Sequence, residues 1–240
     1  MKREMKRDFK RLLMVVACLA VAMCVSCKKE EEGGGDYTAC DGSMEGHNYV
    51  DLGLTSGTLW ATCNVGAFAP FDFGDYFAWG ETEPKTEKFY DWTNYKWSTG
   101  QDGHYSKYTD EDGKTVLDRE DDAAWVNWGG DWRMPTQEEM EELREECKWK
   151  WIWMFKCFNI TGPNGKSIIL PAAGYYSQGG CYHVNTECRY WTSSIYTRDI
   201  EEAYFLLGEY RHVLAGPGVR YYGRSVRPVC SPQKDGDKLL

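Results

Sequence analysis

The stretch "DDAAWVNWGGDWRMPTQEEMEEL", residues 121–143 of a 240-residue chain, decides how the sequence folds. In its second half Thr136 is followed three residues later by Glu139, the spacing of a capping box in which each side chain satisfies the other's free backbone N–H. Acidic residues fill the first turns, where they complement the helix dipole, and Met140, Leu143 and Cys147 recur at helical spacing. This predicts a helix from about Thr136 to Cys147. The first half predicts another, from about Leu117 to Trp128, closed by Gly129 and Gly130, since glycine takes the left-handed terminating conformation without strain. The adjacent acids Asp121 and Asp122 then serve the helix start as dipole partners and caps.

Downstream the period changes. Trp149, Trp151, Trp153 and Phe155 alternate with Lys148, Lys150 and Ile152, which predicts a strand with one buried face. "TGPNG" (161–165) is a turn, "KSIILPAAGY" returns as a more buried strand ending at Pro171, and "RSVRPV" (224–229) is the expected last strand. Upstream, "HNYVDLGLTSGTLWATCNVGA" (47–67) reads as two short strands and a turn, and residues 80–117 are polar and turn-rich. Two helices among many short strands define an α+β class.

The N-terminus carries a different message. Lys2, Arg3, Lys6, Arg7, Lys10 and Arg11 precede an apolar run from Leu12 to Val25, too short for the roughly 20 residues of a bilayer span but suited to a signal peptide over residues 1–26. The run up to Ser26 and Cys27 is similar to a bacterial lipobox, with Cys24 where Leu is usual. Cys27 would then carry the acyl chains that anchor the protein in the outer membrane. Lys28, Lys29, Glu30, Glu31 and Glu32 follow directly, similar to the signal that sends Bacteroidota lipoproteins to the cell surface. Residues 27–45 are expected as a lipidated, Gly-rich tether, 46–232 as one domain and 233–240 as a polar tail.

The full chain has a net charge of −9, and removing its basic N-terminus would make it more acidic still. Nucleic acid is therefore not expected as a partner, because phosphate binding calls for a basic patch. Of 11 Trp and 16 Tyr, ten Trp lie between Trp60 and Trp153 and nine Tyr between Tyr175 and Tyr222. The first group reads as core. The second reads either as rigid amphipathic contact surface or as filling for strand positions. Beyond Cys27 stand seven cysteines, Cys40, Cys63, Cys147, Cys157, Cys181, Cys188 and Cys230, and no CxxC pair, so neither a zinc ribbon nor a thioredoxin-like site is supported.

Six stretches taken in order, "VDLGLTSGTLWATCNVGA", "GDYFAWGET", "DDAAWVNWGGDWRMPTQEEMEEL", "GPNGKSIILPAAGY", "YWTSS" and "RSVRPV", resemble the Fibrobacter succinogenes major paralogous domain over about Tyr49 to Val229. Thr55 stands where that family often has Pro, and Trp125 where His is common. The resemblance implies a C-type-lectin-like fold: two helices packed on short antiparallel strands, paired terminal strands and a long loop region. It also implies that Cys63 and Cys147 occupy family cysteine positions and pair or pack together. Formylglycine-generating enzymes share the fold and use two late cysteines four residues apart. Here six residues separate Cys181 from Cys188 and the Arg-Gly-Gly-Ser context is missing, so a local disulfide is the simpler expectation and a diverged oxidase the alternative.

Other chemistry finds little footing. The lectin calcium tripeptides are absent, and "DEDG" (110–113) sits in the wrong register for an EF-hand, with Tyr108 first and Arg119 twelfth. His47, His104, His183 and His212 lack metal-ligand spacing, and there is no G-x-S-x-G elbow. The expectation is a non-enzymatic binding or adhesion module without metal or cofactor, taking a glycan, peptide or protein through Tyr175, Tyr176, Tyr182, His183, Tyr190, Trp191, Tyr210, His212, Tyr221 and Tyr222. Retroelement diversification of those loops is a third reading, because some lectin-like folds are diversified in that way.

Overall fold

A computed structural model describes residues 39–100 and 103–232. The stretches expected as signal peptide (1–26), lipidated Cys27, export signal (Lys28–Glu32) and polar tail (233–240) lie outside the described residues. Among the described residues, twelve strands and two short α-helices form an α+β domain. Its sheets are β1 (Gly42–Met44), β2 (His47–Asp51), β3 (Leu59–Ala61) and β12 (Val229–Cys230); β4 (Lys148–Ile152), β5 (Cys157–Thr161) and β6 (Ser167–Pro171); β9 (Glu187–Ile195), β10 (Glu202–Glu209) and β11 (His212–Val219); and the hairpin β7 (Tyr175–Ser177) with β8 (Gly180–Tyr182). All pairings within these sheets are antiparallel. Val229 pairs with Trp60, which joins the two ends of the domain. The first strand begins inside the stretch read as tether.

The second predicted helix is α2 (Gln137–Glu146), with the Thr136–Glu139 capping box formed and Met140 and Leu143 buried. The first is shorter than expected. Leu117 donates its N–H to Ser193 across a strand-like contact, and helix α1 (Ala123–Trp128) starts only after Asp122, whose carboxylate accepts from the N–H groups of Ala124 and Trp125. That cap fixes the helix start, and a second oxygen of Asp122 accepts from Met134 N–H, tying the following loop down. A turn of 3₁₀ helix, Arg119–Asp121, fills the preceding residues.

The alternating run at 149–155 also ends early. Ile152 pairs with Cys157, so residues 153–156 form the β4–β5 turn, and Trp153 and Phe155 are exposed rather than on a buried face. "RSVRPV" is likewise not one strand: Arg224 bridges Phe77, Ser225 bridges Tyr190, and regular pairing resumes only at Val229.

Two large apolar clusters fill the interior, beside a small third one of Ala78, Tyr90 and Tyr95. Trp79, Trp132, Trp191, Phe77 and Val226 belong to one, and Trp60, Met140, Leu143, Phe158, Leu170, Tyr190 and Val229 to the other. Neighbouring residues of β3 and β9 belong to different clusters, Leu59 and Trp191 to the first and Trp60 and Tyr190 to the second, so these strands are covered on both faces and are buried almost throughout. Fully burying one such large apolar side chain contributes about 1.5–3 kcal/mol. Three arginines, Arg220, Arg224 and Arg227, are buried in the same interior.

Asp121 ties the polar loops to this core. Lys96 and Lys107 donate to its two oxygens at 2.9 and 2.5 Å, and the Tyr108 hydroxyl donates at 2.6 Å. Burial works to raise the Asp121 pKa, but the hydrogen bonds from Lys107, Tyr108 and Lys96 outweigh it and hold it below the usual 3.8. A depressed carboxylate contributes stability that is present above its unfolded pKa and is lost as pH falls through the folded value. Acid unfolding should therefore steepen below pH 3.8, and Asp121→Asn should flatten that limb while costing about 2 kcal/mol at neutral pH. Urea titrations across pH check both effects, and an unchanged acid limb in the variant would remove Asp121 from the account.

Candidate functional site

The β7–β8 hairpin turns through Gln178 and Gly179, both at positive φ, the two-residue geometry that suits a right-twisted hairpin. Its register sets Tyr175 opposite Tyr182, with rings 5.5 Å apart. Tyr175 is the centre of the group. His183 stacks near it at 6.0 Å and 13°, Tyr222 meets it at 5.0 Å, and the Arg189 guanidinium lies 4.4 Å from its ring centre. Tyr221 extends the patch by an edge contact with Tyr222 at 4.8 Å.

One carboxylate orients the polar fringe. Glu187 places one oxygen 2.8 Å from Nδ1 of His183 and accepts from Nε of Arg189 at 2.6 Å with the other. Beneath the rings, the buried Arg224 guanidinium lies 3.6 Å from the Phe205 ring centre, 4.0 Å from Trp191 and 5.4 Å from Tyr222. Its Nε and Nη1 have no hydrogen-bond partner. Burial, together with the positive charge of Arg189, pulls the Arg224 pKa well below the ordinary arginine value. Burial likewise raises that of Tyr175. The outer layer thus offers flat ring faces bordered by an imidazole and a guanidinium that the buried Glu187 carboxylate holds in place, a set of groups able to stack on an apolar face and hydrogen-bond at its edge.

Of the ten expected surface residues, the structure brings together Tyr175, Tyr182, His183, Tyr221 and Tyr222. Tyr176 lies on the other face of the hairpin, edge-on to Tyr76 at 4.7 Å. Tyr190 and Trp191 are fully buried, because β9 runs between the two apolar clusters. The Tyr190 hydroxyl donates to Pro171 O and accepts from Asn64, and the Trp191 indole donates to Phe77 O. Both belong to the interior, not to a contact surface. Tyr210 and His212 sit at the β10–β11 turn, where Tyr210 meets Trp153 instead of the Tyr175 group. Arg189 and Glu187 were missed; their i, i+2 spacing on one strand face was the available signal.

The expected disulfides do not form. All seven described cysteines carry free thiols, so Cys181 is not joined to Cys188, nor Cys63 to Cys147. Cys188 points into the core, its Sγ 3.2 Å from Leu170 O, while Cys181 is exposed on β8. Cys147 caps α2 and packs with Met140 and Leu143, whereas Cys63 stands half-buried in a separate cleft. Burial pushes the thiol pKa of Cys147 and of Cys157 up to about 12 and raises that of Cys188 as well. Reactivity follows the thiolate. Iodoacetamide at pH 8 should therefore label Cys40, Cys63 and Cys181 in the folded domain, and Cys147, Cys157 and Cys188 only after unfolding, as read by mass spectrometry. Fast labelling of Cys188 in the folded protein would contradict this placement.

Two other places hold chemistry-bearing groups. A cleft of about 490 Å³ is lined by His47, Cys63, Asp75, Asn127 and Trp128, with His47 stacked on Trp128 at 3.7 Å and 3°. Burial lowers the His47 pKa, which favours its neutral form. The carboxylates of Asp118, Glu120 and Asp121 lie within 4.8 Å of one another, but Lys107 bridges all three, so their charge is already balanced from within the chain. Among the described residues no helix is long and apolar enough to cross a membrane. Comparison of the chain with protein-family models, with curated proteins and with solved structures returns no match.

Proposed function

We propose that this chain is a surface-anchored lipoprotein of the Fibrobacter succinogenes major paralogous type, whose C-type-lectin-like domain is a binding module, and that its ligand is a glycan held on the Tyr175 face. The observation that carries the reading is the convergence of Tyr182, His183, Tyr222 and Arg189 on Tyr175. A sugar ring presents an apolar C–H face and a rim of hydroxyls. Partly exposed tyrosines suit the first, and Arg189 and His183, held by the buried Glu187 carboxylate, suit the second. Supporting the anchor are the short apolar run, the lipobox-like sequence and the charged residues behind Cys27. An oxidase using Cys181 and Cys188 has less support, because one thiol is exposed and the other is fully buried in β9.

The test is a glycan array probed with the full chain and with Tyr182→Ala and Tyr222→Ala. Tyr182 is 45% exposed, so its loss should leave the fold intact. Binding to a defined glycan class that falls by on the order of tenfold in each variant is expected, about 1.4 kcal/mol per lost stacking contact. No glycan binding, or binding indifferent to both substitutions, would end the proposal.

A further inference from the structure

Two hairpin turns outside the Tyr175 group lie side by side and break the usual turn chemistry. The β4–β5 turn is Trp153-Met154-Phe155-Lys156, and the two-residue β10–β11 turn is Tyr210-Arg211. Such positions ordinarily hold Gly, Asn, Asp or Pro, which supply the backbone geometry and keep the tip polar. Lys156 instead takes φ 50°. The three apolar side chains of the first turn are 55%, 81% and 44% exposed, and Tyr210 is 51% exposed. Departures from local rules that also expose apolar surface mark positions kept for something other than folding.

The geometry makes one patch of these turns. The Trp153 and Tyr210 rings are 4.6 Å apart, and Phe155 meets Phe71 of a third loop at 4.8 Å. Phe68, in the same loop, is fully exposed. Both charged side chains within the two turns are cations, and each lies over a ring of the patch, Lys156 5.3 Å from Trp153 and Arg211 5.8 Å from Tyr210. Lys148 and Lys150 face solvent from the adjoining β4; of the acids beside the patch, Asp72 is exposed but accepts from Ala69 N–H, Glu209 is half-buried, and Glu187 is buried and paired with Arg189, so the cations outnumber the exposed acids. This basic concentration stands out on a chain of net charge −9.

We propose that the paired 153–156 and 210–211 turns insert into the interfacial layer of an anionic lipid bilayer. Trp and Tyr favour the headgroup level because one end of each ring system is apolar and the other polar, and Lys and Arg beside them meet the phosphates. The side chains project from turn tips, a form that enters a lipid surface more readily than it accepts a peptide in a groove. Charge complementarity is what selects this occupant over a protein partner. The interaction is separate from acylation at Cys27 and from the Tyr175 face. Together with an anchor it would supply the second contact that a weak membrane attachment needs.

The experiment adds the full chain, as Cys27→Ser so that no acyl chain contributes, to phosphatidylcholine–phosphatidylglycerol vesicles whose acyl chains carry bromine, and reads quenching of tryptophan fluorescence. Quenching is expected, weaker on pure phosphatidylcholine, and lost in Trp153→Ala. Met154→Asp and the double variant Lys156→Glu/Arg211→Glu should reduce vesicle partitioning by on the order of tenfold. These positions are at exposed turn tips, and unchanged circular dichroism confirms that the variants fold. Absence of quenching, or quenching that survives Trp153→Ala, overturns the proposal. So does a photo-crosslinker at position 154 that captures a protein on cells while the lipid signal is missing, which would assign the patch to a protein partner.

Discussion

Arg227→Met should lose about 4 kcal/mol or more of stability, whereas Arg224→Met should stay within about 1 kcal/mol of the parent. Both arginines are fully buried, so burial alone does not separate them. Their partners do. Arg227 donates from Nε to Asn64 Oδ1, from Nη1 to Ala61 O and from Nη2 to Ile169 O, at 2.8–2.9 Å. It thereby joins β3, the loop behind it and β6, and Asn64 continues the network to Phe73 O and the Tyr190 hydroxyl. Methionine would fill most of the volume yet leave three acceptors without donors, each at about 1–3 kcal/mol. Arg224 is held by ring contacts with Phe205 and Trp191, and its Nε and Nη1 are unpartnered. Replacing a poorly satisfied buried charge with an apolar side chain of similar size is often neutral or stabilising. Urea unfolding of the two variants decides the matter: equal losses would contradict the assignment of Arg227 as the stitch between the sheets.

Gly174→Ala should cost about 3 kcal/mol and abolish ligand binding together. Gly174 has φ 64°, and a Cβ there would lie 2.0 Å from Tyr182 O and 2.8 Å from Val184 N. Neither neighbour is the end of a flexible side chain. The end of β8 would have to move, taking Tyr182 and His183 away from Tyr175. Gly165 supplies the control: its φ is 87°, yet nothing lies within 4 Å of an added Cβ, so Gly165→Ala meets only the backbone penalty of about 1 kcal/mol. Thermal melts with binding assays on both variants should show one large and one small effect. Equal effects would mean that positive φ, and not the close approach under the hairpin, sets the cost.

How much of this was readable from the chain varied with the range of the interaction involved. The Thr136–Glu139 box involves residues three apart, and its helix lies where the sequence placed it. Asp122 was recognised as a cap, but its second oxygen reaches Met134, a loop contact that no periodicity carries. The alternation of Trp149, Trp151, Trp153 and Phe155 was real in sequence and misleading in structure, because pairing of Ile152 with Cys157 turned its second half into a tip. Tyrosine density alone could not separate Tyr182 from Tyr190: both lie in the Tyr-dense 175–222 stretch, and only the packing of β9 between two clusters buries the second. The proximity of Cys181 and Cys188 in the chain suggested a bridge, yet one belongs to an exposed hairpin and the other to a covered strand. The polar partners of the site, Glu187 and Arg189, became visible only when Tyr175 arrived beside them.

The most direct test of the central claim is hydrogen–deuterium exchange on the full chain, with and without the glycan selected on the array. Slowed exchange confined to residues 174–189 and 221–223 is the predicted result, because the ligand would cover the β7–β8 hairpin and the Tyr221–Tyr222 turn. Protection instead around His47 and Cys63, with the hairpin unchanged, would move the binding site to the 490 Å³ cleft and contradict the account.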